Sequence, residues 1–158
     1  MKILACDGIH ADGLNLFKEA GFTVETSDPI KDPAVLAEKL QQFDGIMVRS
    51  ATLITAESLA KAGHLKVIGR AGAGVDTIDV EAATARGIAV MNAPDGNTLA
   101  AAEHAVSLLF SMARHVPRAD AGMKAGEWPK NGLTGFELEG KRLGVIGLGR
   151  IGATVARK

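Results

Sequence analysis

Short apolar runs alternate with segments of helical periodicity along the first part of the chain. Each run is three or four residues long, which suits a strand better than a helix; the runs cover residues 3–6, 22–24, 46–48, 65–68 and 88–91. Between them, Asp32, Thr55 and Asp79 are suited to cap helices, the second of which would end near Gly63. Such alternation predicts parallel strands joined by right-handed crossovers in an open α/β sheet.

The rhythm changes at the turn-rich stretch 92–97. After it, apolar residues at helical spacing predict a long helix over 99–116, and Pro117 is expected to kink or restart it because proline lacks an amide donor. A further apolar run at 143–146 predicts a buried strand. We therefore expect one domain over residues 1–95 and the start of a second over 96–158.

Charge and composition narrow the functional classes. Lys plus Arg and Asp plus Glu both number 18, so the formal net charge is zero, which argues against a broad surface for nucleic acid or anionic membranes. Cys6 is the only cysteine, so no intrachain disulfide can form. No apolar run approaches the roughly 18 residues of a membrane span, and a charge comes too early for a signal peptide. These features predict a cytoplasmic protein. No cluster of histidine, cysteine or carboxylate residues has the spacing of metal ligands, so no metal site is predicted.

The predicted strand at 143–146 leads into a glycine-rich loop. Gly147, Gly149 and Gly152 match the G-x-G-x-x-G dinucleotide fingerprint, whose glycines allow a tight turn, close approach to a pyrophosphate and helix packing. Residues 153–156 can begin the helix whose N-terminus would bind the phosphates. The alternative is a tight glycine turn in any parallel α/β protein. The acidic residue that separates NAD from NADP is expected beyond the end of this chain, so the spacing leaves both cofactors open.

Several motifs, in order, resemble those of the D-isomer-specific 2-hydroxyacid dehydrogenases. They are VRSAT at 48–52, GRAGAGVD at 69–76, NAPDGN at 92–97, AEH at 102–104 and the glycine loop. The resemblance covers the whole chain. It implies a flavodoxin-like substrate domain, followed by the first strand and glycine loop of a truncated Rossmann domain. A C-terminal segment that normally returns to complete the substrate domain would be missing.

The resemblance assigns the substrate's anionic end to three residues. Arg49 and Ser50 sit where that end is bound, and Asn97 reaches the same cleft from the hinge. Arginine offers a planar fork of donors, and Arg49 follows a predicted strand at the edge where open α/β sheets bind ligands. Other interpretations stay open, since Arg49 could be a surface residue, Ser50 a turn cap and Asn97 a helix N-cap.

The same resemblance assigns NAD contacts to two glycine-rich segments. Ala73 and Gly74 face the nicotinamide side, and Arg150 and Ile151 in the glycine loop give backbone amides to the pyrophosphate. Many relatives carry a hydroxyl residue where Ala73 stands, so that polar contact is expected to be absent here.

Other polar residues are expected to serve structure. Arg70 and Asp76 flank the first glycine-rich turn, where charged residues usually form local ion pairs or caps. Glu103 and His104 lie near the start of the long helix and are left out of the mechanism.

The activity implied is NAD-dependent oxidation of a small anionic 2-hydroxy acid. The resemblance favours 3-phosphoglycerate, oxidised to 3-phosphohydroxypyruvate in serine biosynthesis; glyoxylate and hydroxypyruvate are the alternative substrates. The family's catalytic histidine, glutamate and arginine all follow the glycine loop, so no catalytic residue is assigned here. We expect an inactive N-terminal part of a homo-oligomeric enzyme, the alternative being a non-catalytic ligand-binding or regulatory module.

Overall fold

Five parallel strands form one sheet in a computed structural model that describes residues 1–128 and 130–158. The strands are β1 (Lys2–Ala5), β2 (Thr23–Thr26), β3 (Gly45–Val48), β4 (Val67–Arg70) and β5 (Ala89–Asn92). Their order is β2-β1-β3-β4-β5, which is the flavodoxin-like order. The predicted α/β fold with a flavodoxin-like parallel sheet is therefore confirmed. The chain divides into two compact units, Met1–Gly96 and Asn97–Lys158, and the whole sheet belongs to the first.

Helices form three of the four connections between the strands of the first unit. They are α1 (Ala11–Glu19), α2 (Pro33–Leu40) and α3 (Val80–Ala85). Asp32 caps α2 by accepting a hydrogen bond from the Ala34 amide at 2.8 Å, and proline occupies the first turn, where no amide donor is needed. Asp79 caps α3 in the same way through the Ala82 amide, also at 2.8 Å. Both predicted caps are confirmed.

The helix predicted to begin at Thr55 is wrong, because the segment from 55 to 63 forms successive turns. The amide of Leu59 reaches back four residues to the Thr55 carbonyl, but the amide of Ala62 reaches back only three, to Leu59. Thr55 and Ser58 still exchange two hydrogen bonds, each side-chain oxygen accepting from the other residue's amide. The capping residues are thus present without the repeated four-residue bonds of an α-helix.

The core lies against one face of the sheet. Leu4, Ile46 and Ile68 are paired across β1, β3 and β4 and are at most 2% exposed. They share a single buried cluster with side chains from α2 and the loop after it, namely Leu36, Leu40 and Phe43. Because β3 lies in the centre of this packing, its carboxyl end at Val48 is a firmly supported place for functional residues.

The opposite face carries an apolar groove of about 490 Å³. Residues of alternate positions in β1, β3 and β4 form its floor, and α1 contributes one wall; the lining includes Ile3, Met47, Val67, Gly69 and Phe17. Neighbouring side chains already pack against Gly45 and Gly69, since an added Cβ would lie 2.7 Å from Ile3 Cδ1 at the first and 3.0 Å from Met47 Sδ at the second.

Helices build the second unit. They are α4 (Thr98–Ala113), α5 (Val116–Lys124), a 3-10 turn (Lys130–Gly132) and α6 (Arg150–Arg157). The chain turns between α4 and α5 at His115, which has a left-handed φ of 54°, and proline falls in the first turn of α5. The predicted restart at Pro117 is therefore confirmed. Among the described residues, no helix is long and apolar enough to cross a membrane.

The strand predicted at 143–146 is wrong. These residues, all within the described part of the chain, form no regular element, and Ile146 is fully exposed. A strand needs a neighbouring strand to satisfy its backbone amides and carbonyls. Every strand in the described residues belongs to the first unit, so 143–146 has no strand partner in the second.

Candidate functional site

The turn after β3 carries the two predicted substrate residues of the first unit. Arg49 and Ser50 directly follow Val48, and both are exposed. Val48 is paired with Arg70 at the end of β4, so the carboxyl ends of two neighbouring strands meet here. Open α/β sheets bind ligands at such an edge. The Arg49 guanidinium and the Ser50 hydroxyl have no hydrogen-bond partner among the described residues, so both donors are available to a ligand.

Asp7 lies two residues after β1, and its side chain holds the backbone of this turn. One carboxylate oxygen accepts hydrogen bonds from the amides of Arg49 at 2.8 Å, Thr52 at 3.1 Å and Ala51 at 3.2 Å. The other oxygen accepts from the Thr52 hydroxyl at 2.6 Å. Thr52 is fully buried, and its hydroxyl also accepts from the Ile30 amide at 3.1 Å. The conformation of residues 49–52 is therefore set by one side chain from the loop that follows β1.

These hydrogen bonds also set the charge of Asp7. Partial burial by itself raises the pKa of the carboxyl, but the bonds from the Thr52 hydroxyl and from the amides of Arg49, Thr52 and Ala51 outweigh it and hold the pKa below its ordinary value. Asp7 is therefore ionised at neutral pH, when its acceptor capacity is greatest.

Arg70 links the same turn to the glycine-rich turn that follows β4. Its Nε donates to the Arg49 carbonyl at 2.9 Å, and its Nη1 lies 2.9 Å from Asp76 Oδ1. The Arg70 side chain is only 11% exposed. The predicted ion pair between Arg70 and Asp76 is confirmed. A Cβ added at Gly74 would lie 2.6 Å from that Asp76 oxygen, so a side chain at Gly74 would disturb the pair.

Asn92 fastens the glycine-rich turn from the end of β5. Its Nδ2 donates to the Ala73 carbonyl at 2.6 Å, and the following amide, of Ala93, donates to the Gly72 carbonyl at 3.0 Å. Ala73 and Gly74, the predicted nicotinamide-side residues, therefore lie in a turn held by Arg70 and Asn92. The supporting roles of Asp7 and Asn92 were not predicted, although the Asp-Gly pair at residues 7 and 8 was a visible turn signal.

Asn97 begins the second unit and stands at the N-cap position of α4. Its side chain makes no capping hydrogen bond, so capping does not account for an asparagine here. The approach of Asn97 to the substrate stays a prediction.

The glycine loop of the second unit forms although the strand before it does not. Gly147 has a φ of 93°, in the region that favours glycine. A Cβ added at Gly152 would lie 1.9 Å from the Gly147 carbonyl oxygen, so the start of α6 packs against the loop without room for a side chain. Gly149 has an ordinary φ of −69°, and an added Cβ would meet nothing within 4 Å. Gly149 stands at the N-cap of α6, where glycine is a common residue, and the open space beside it leaves room for a ligand.

Two substitutions distinguish the close packing at Gly152 from the open space at Gly149. Gly152→Val is expected to open the loop, because the side chain cannot fit beside the Gly147 carbonyl, and to change the amide NMR signals of residues 147–153. Gly149→Ala is the matched control and is expected to leave those signals nearly unchanged apart from its immediate neighbours. A Gly152→Val spectrum that matched the wild type would contradict this packing.

The described residues contain no other evident reactive centre. They include no group of three or more His, Cys, Asp or Glu residues that could hold a metal ion. Burial, and secondarily the charge of Asp7, raises the pKa of the Cys6 thiol to about 11, so this buried thiol is protonated and unreactive at neutral pH. Glu103, which was left out of the mechanism, pairs with Lys158 at 2.9 Å.

Comparison with known proteins establishes the family. The sequence model described as "D-isomer specific 2-hydroxyacid dehydrogenase, catalytic domain" matches residues 3–156, and the chain belongs to this family of oxidoreductases.

Among its relatives are proteins named D-3-phosphoglycerate dehydrogenase. The one from Methanocaldococcus jannaschii is 47% identical and the one from Archaeoglobus fulgidus 44% identical, each over the whole chain and 30% of the relative. The chain thus spans about 30% of the length of these relatives.

Solved structures agree with the fold. The TT0316 protein from Thermus thermophilus is 34% identical with a TM-score of 0.89, and the match covers 99% of this chain and 52% of that one. An NAD-dependent formate dehydrogenase from Staphylococcus aureus, solved in complex with NAD, is 30% identical with a TM-score of 0.82, at 99% and 52% coverage.

Proposed function

We propose that this chain supplies the substrate-side residues and the first cofactor contacts of an NAD-dependent oxidation of 3-phosphoglycerate to 3-phosphohydroxypyruvate. The observation that carries the proposal is the turn after β3, where the backbone is fixed by Asp7 while the Arg49 guanidinium and Ser50 hydroxyl have no partner among the described residues. Planar, bidentate donors of this kind suit a phosphate or carboxylate. The relatives named D-3-phosphoglycerate dehydrogenase support the choice of substrate.

NAD is the cofactor of this proposal, and when bound it accepts the hydride from the substrate carbon. Its pyrophosphate fits the glycine loop, where the space around Gly149 admits a ligand and the helix dipole of α6 favours negative charge. Arg150 and Ile151 would contribute backbone amides. Ala73 and Gly74 would face the nicotinamide side from the turn held by Arg70 and Asn92.

Binding without turnover is the expected behaviour of the chain alone. The histidine, glutamate and arginine that the family uses for proton transfer and carboxylate binding follow the glycine loop in its members, and none is assigned to this sequence. A ligand-binding or regulatory module is the second candidate, and the same partner-free donors favour it. NAD-dependent turnover by this polypeptide would contradict the expected lack of turnover.

Two apolar surfaces fit the proposal that the functional protein is larger than one such chain. The groove on the open face of the sheet would receive the C-terminal segment that completes the substrate domain in the family. Helix α4 leaves Leu108 and Met112, which are four residues apart on one face, more than half exposed, and we propose that this face contributes to a homo-oligomer.

Isothermal titration calorimetry with 3-phosphoglycerate tests the proposed function. Saturable binding that is tighter than binding of glyoxylate or hydroxypyruvate is the expected result. Preference for an unphosphorylated 2-hydroxy or 2-keto acid would redirect the proposal to the alternative substrates. Absence of binding to any of them would overturn it for this chain.

A further inference from the structure

One carboxylate occupies nearly all the backbone donors of the candidate anion-binding turn. Asp7 accepts from the amides of Arg49, Ala51 and Thr52 but not from the amide of Ser50. Among the described residues, the Ser50 amide has no acceptor. The turn is thus arranged so that one amide, one hydroxyl and one guanidinium are left for a ligand.

We propose that Asp7 is the positioning residue of this anion site, and that without it the turn does not present the donors of Arg49 and Ser50 together. This inference rests on the proposed function, because it concerns the same turn. Asp7 does not contact the ligand in this account, and it acts only through the backbone of residues 49–52.

Arg70 strengthens this arrangement from the opposite side. The Arg49 amide donates to Asp7 at 2.8 Å while the Arg49 carbonyl accepts from Arg70 at 2.9 Å. The backbone of Arg49 is therefore held on both sides by charged groups, whose hydrogen bonds are the stronger kind. Its side chain has no such restraint within the described residues. A fixed backbone with an unoccupied side chain is the arrangement expected of a preorganised ligand contact.

Two costs argue that Asp7 is present for this purpose. Its backbone has a φ of 64°, and a left-handed conformation is unfavourable for most non-glycine residues, though Asp tolerates it better than most. Its negative charge also opposes an anionic ligand nearby. Strained residues persist where the surroundings determine them and are concentrated at functional sites.

The negative charge of Asp7 makes the direction of the affinity change in Asp7→Ala informative. If Asp7 influenced the ligand only through its charge, Asp7→Ala would tighten binding of 3-phosphoglycerate. If Asp7 positions the turn, Asp7→Ala is expected to weaken that binding at least tenfold. Asp7→Asn retains one oxygen acceptor and is expected to weaken it less, by about threefold. Asp28→Ala removes an exposed carboxylate without such bonds, and is the matched control expected to stay within twofold of wild type.

Calorimetry on the full chain would measure these affinities, with 3-phosphoglycerate and inorganic phosphate as probes. Amide hydrogen exchange would be followed at the same time. Protection at Arg49, Ala51 and Thr52 is expected to fall in Asp7→Ala while the amides of β1 and β3 stay protected. Unchanged or tighter binding in a folded Asp7→Ala variant would overturn the positioning role alone. If Asp7→Ala failed to fold, unchanged or tighter binding in Asp7→Asn would overturn it equally. A wild-type chain that bound neither probe would overturn the proposed function and this inference together.

Discussion

Arg49→Ala is expected to weaken the binding of 3-phosphoglycerate by about ten- to a hundredfold, with little effect on folding. Hydrogen bonds to charged groups contribute about 1.5–3 kcal/mol each, and about 1.4 kcal/mol corresponds to a tenfold change in affinity. Folding is expected to be nearly unaffected because the structural bonds of Arg49 are made by its amide and carbonyl, which alanine also has. Calorimetry measures the affinity, and urea unfolding measures the stability.

Arg86→Ala is the matched control for this prediction. Arg86 is an exposed arginine at the end of α3, and its guanidinium makes one long hydrogen bond, at 3.5 Å, to a carbonyl of the same helix. Its removal takes away the same charge from the first unit at another position. Equal losses of affinity in the two variants would mean that only general charge attracts the ligand, which would contradict a site at the turn after β3.

Phe43→Ala is expected to lower the free energy of unfolding of the first unit by about 3–5 kcal/mol, the usual cost of removing a buried aromatic side chain. Phe43 is 1% exposed and belongs to the core cluster with Leu36 and Ile46. Its removal leaves a cavity beneath β3, the strand that carries the candidate site. A loss of this size is a large share of the roughly 5–15 kcal/mol by which domains are stable.

Phe136→Ala tests whether this loss comes from burial. Phe136 is 48% exposed and lies in the second unit, so its replacement is expected to leave unfolding of the first unit unchanged. Urea unfolding of both variants, followed by NMR signals of the first unit, makes the comparison. A Phe43→Ala variant with wild-type stability would contradict the packing described for the core.

Local signals explain which elements could be predicted from the sequence. The caps of α2 and α3 depend on contacts between Asp32 or Asp79 and residues two or three positions away, so their pattern is visible in a short window. The strand at 143–146 was predicted from its apolar run, but a strand also needs a partner, and that condition is not local.

Long-range contacts explain what was missed at the site. Asp7 and Arg49 are 42 positions apart, and Arg70 and Arg49 are 21 apart. The spacing of these residues along the sequence does not indicate that three strand ends meet around one turn. Arg49 and Ser50 were predicted through family resemblance, whereas Asp7 became evident only once the sheet order brought β1 beside β3.

For the glycine loop, the sequence supplies the pattern of glycines and the structure supplies physical reasons for two of them. The spacing predicted three glycines with three roles, and the structure supplies a physical reason for the glycines at 147 and 152, whereas at Gly149 it shows only open space. The interpretation that a dinucleotide binds there depends most on Gly149, because the other two glycines would be needed for the turn in any case.

In the proposed function, the turn after β3 binds the anionic end of a phosphorylated 2-hydroxy acid. An NMR titration of the isotopically labelled chain with 3-phosphoglycerate tests this binding, because it reports each amide separately. We expect saturable shifts at the amides of residues 49–52, with the shift of the Ser50 amide among the largest, and we expect these shifts to be lost in Arg49→Ala. Saturable shifts confined to other parts of the chain, or no shifts at millimolar ligand, would contradict the proposed binding.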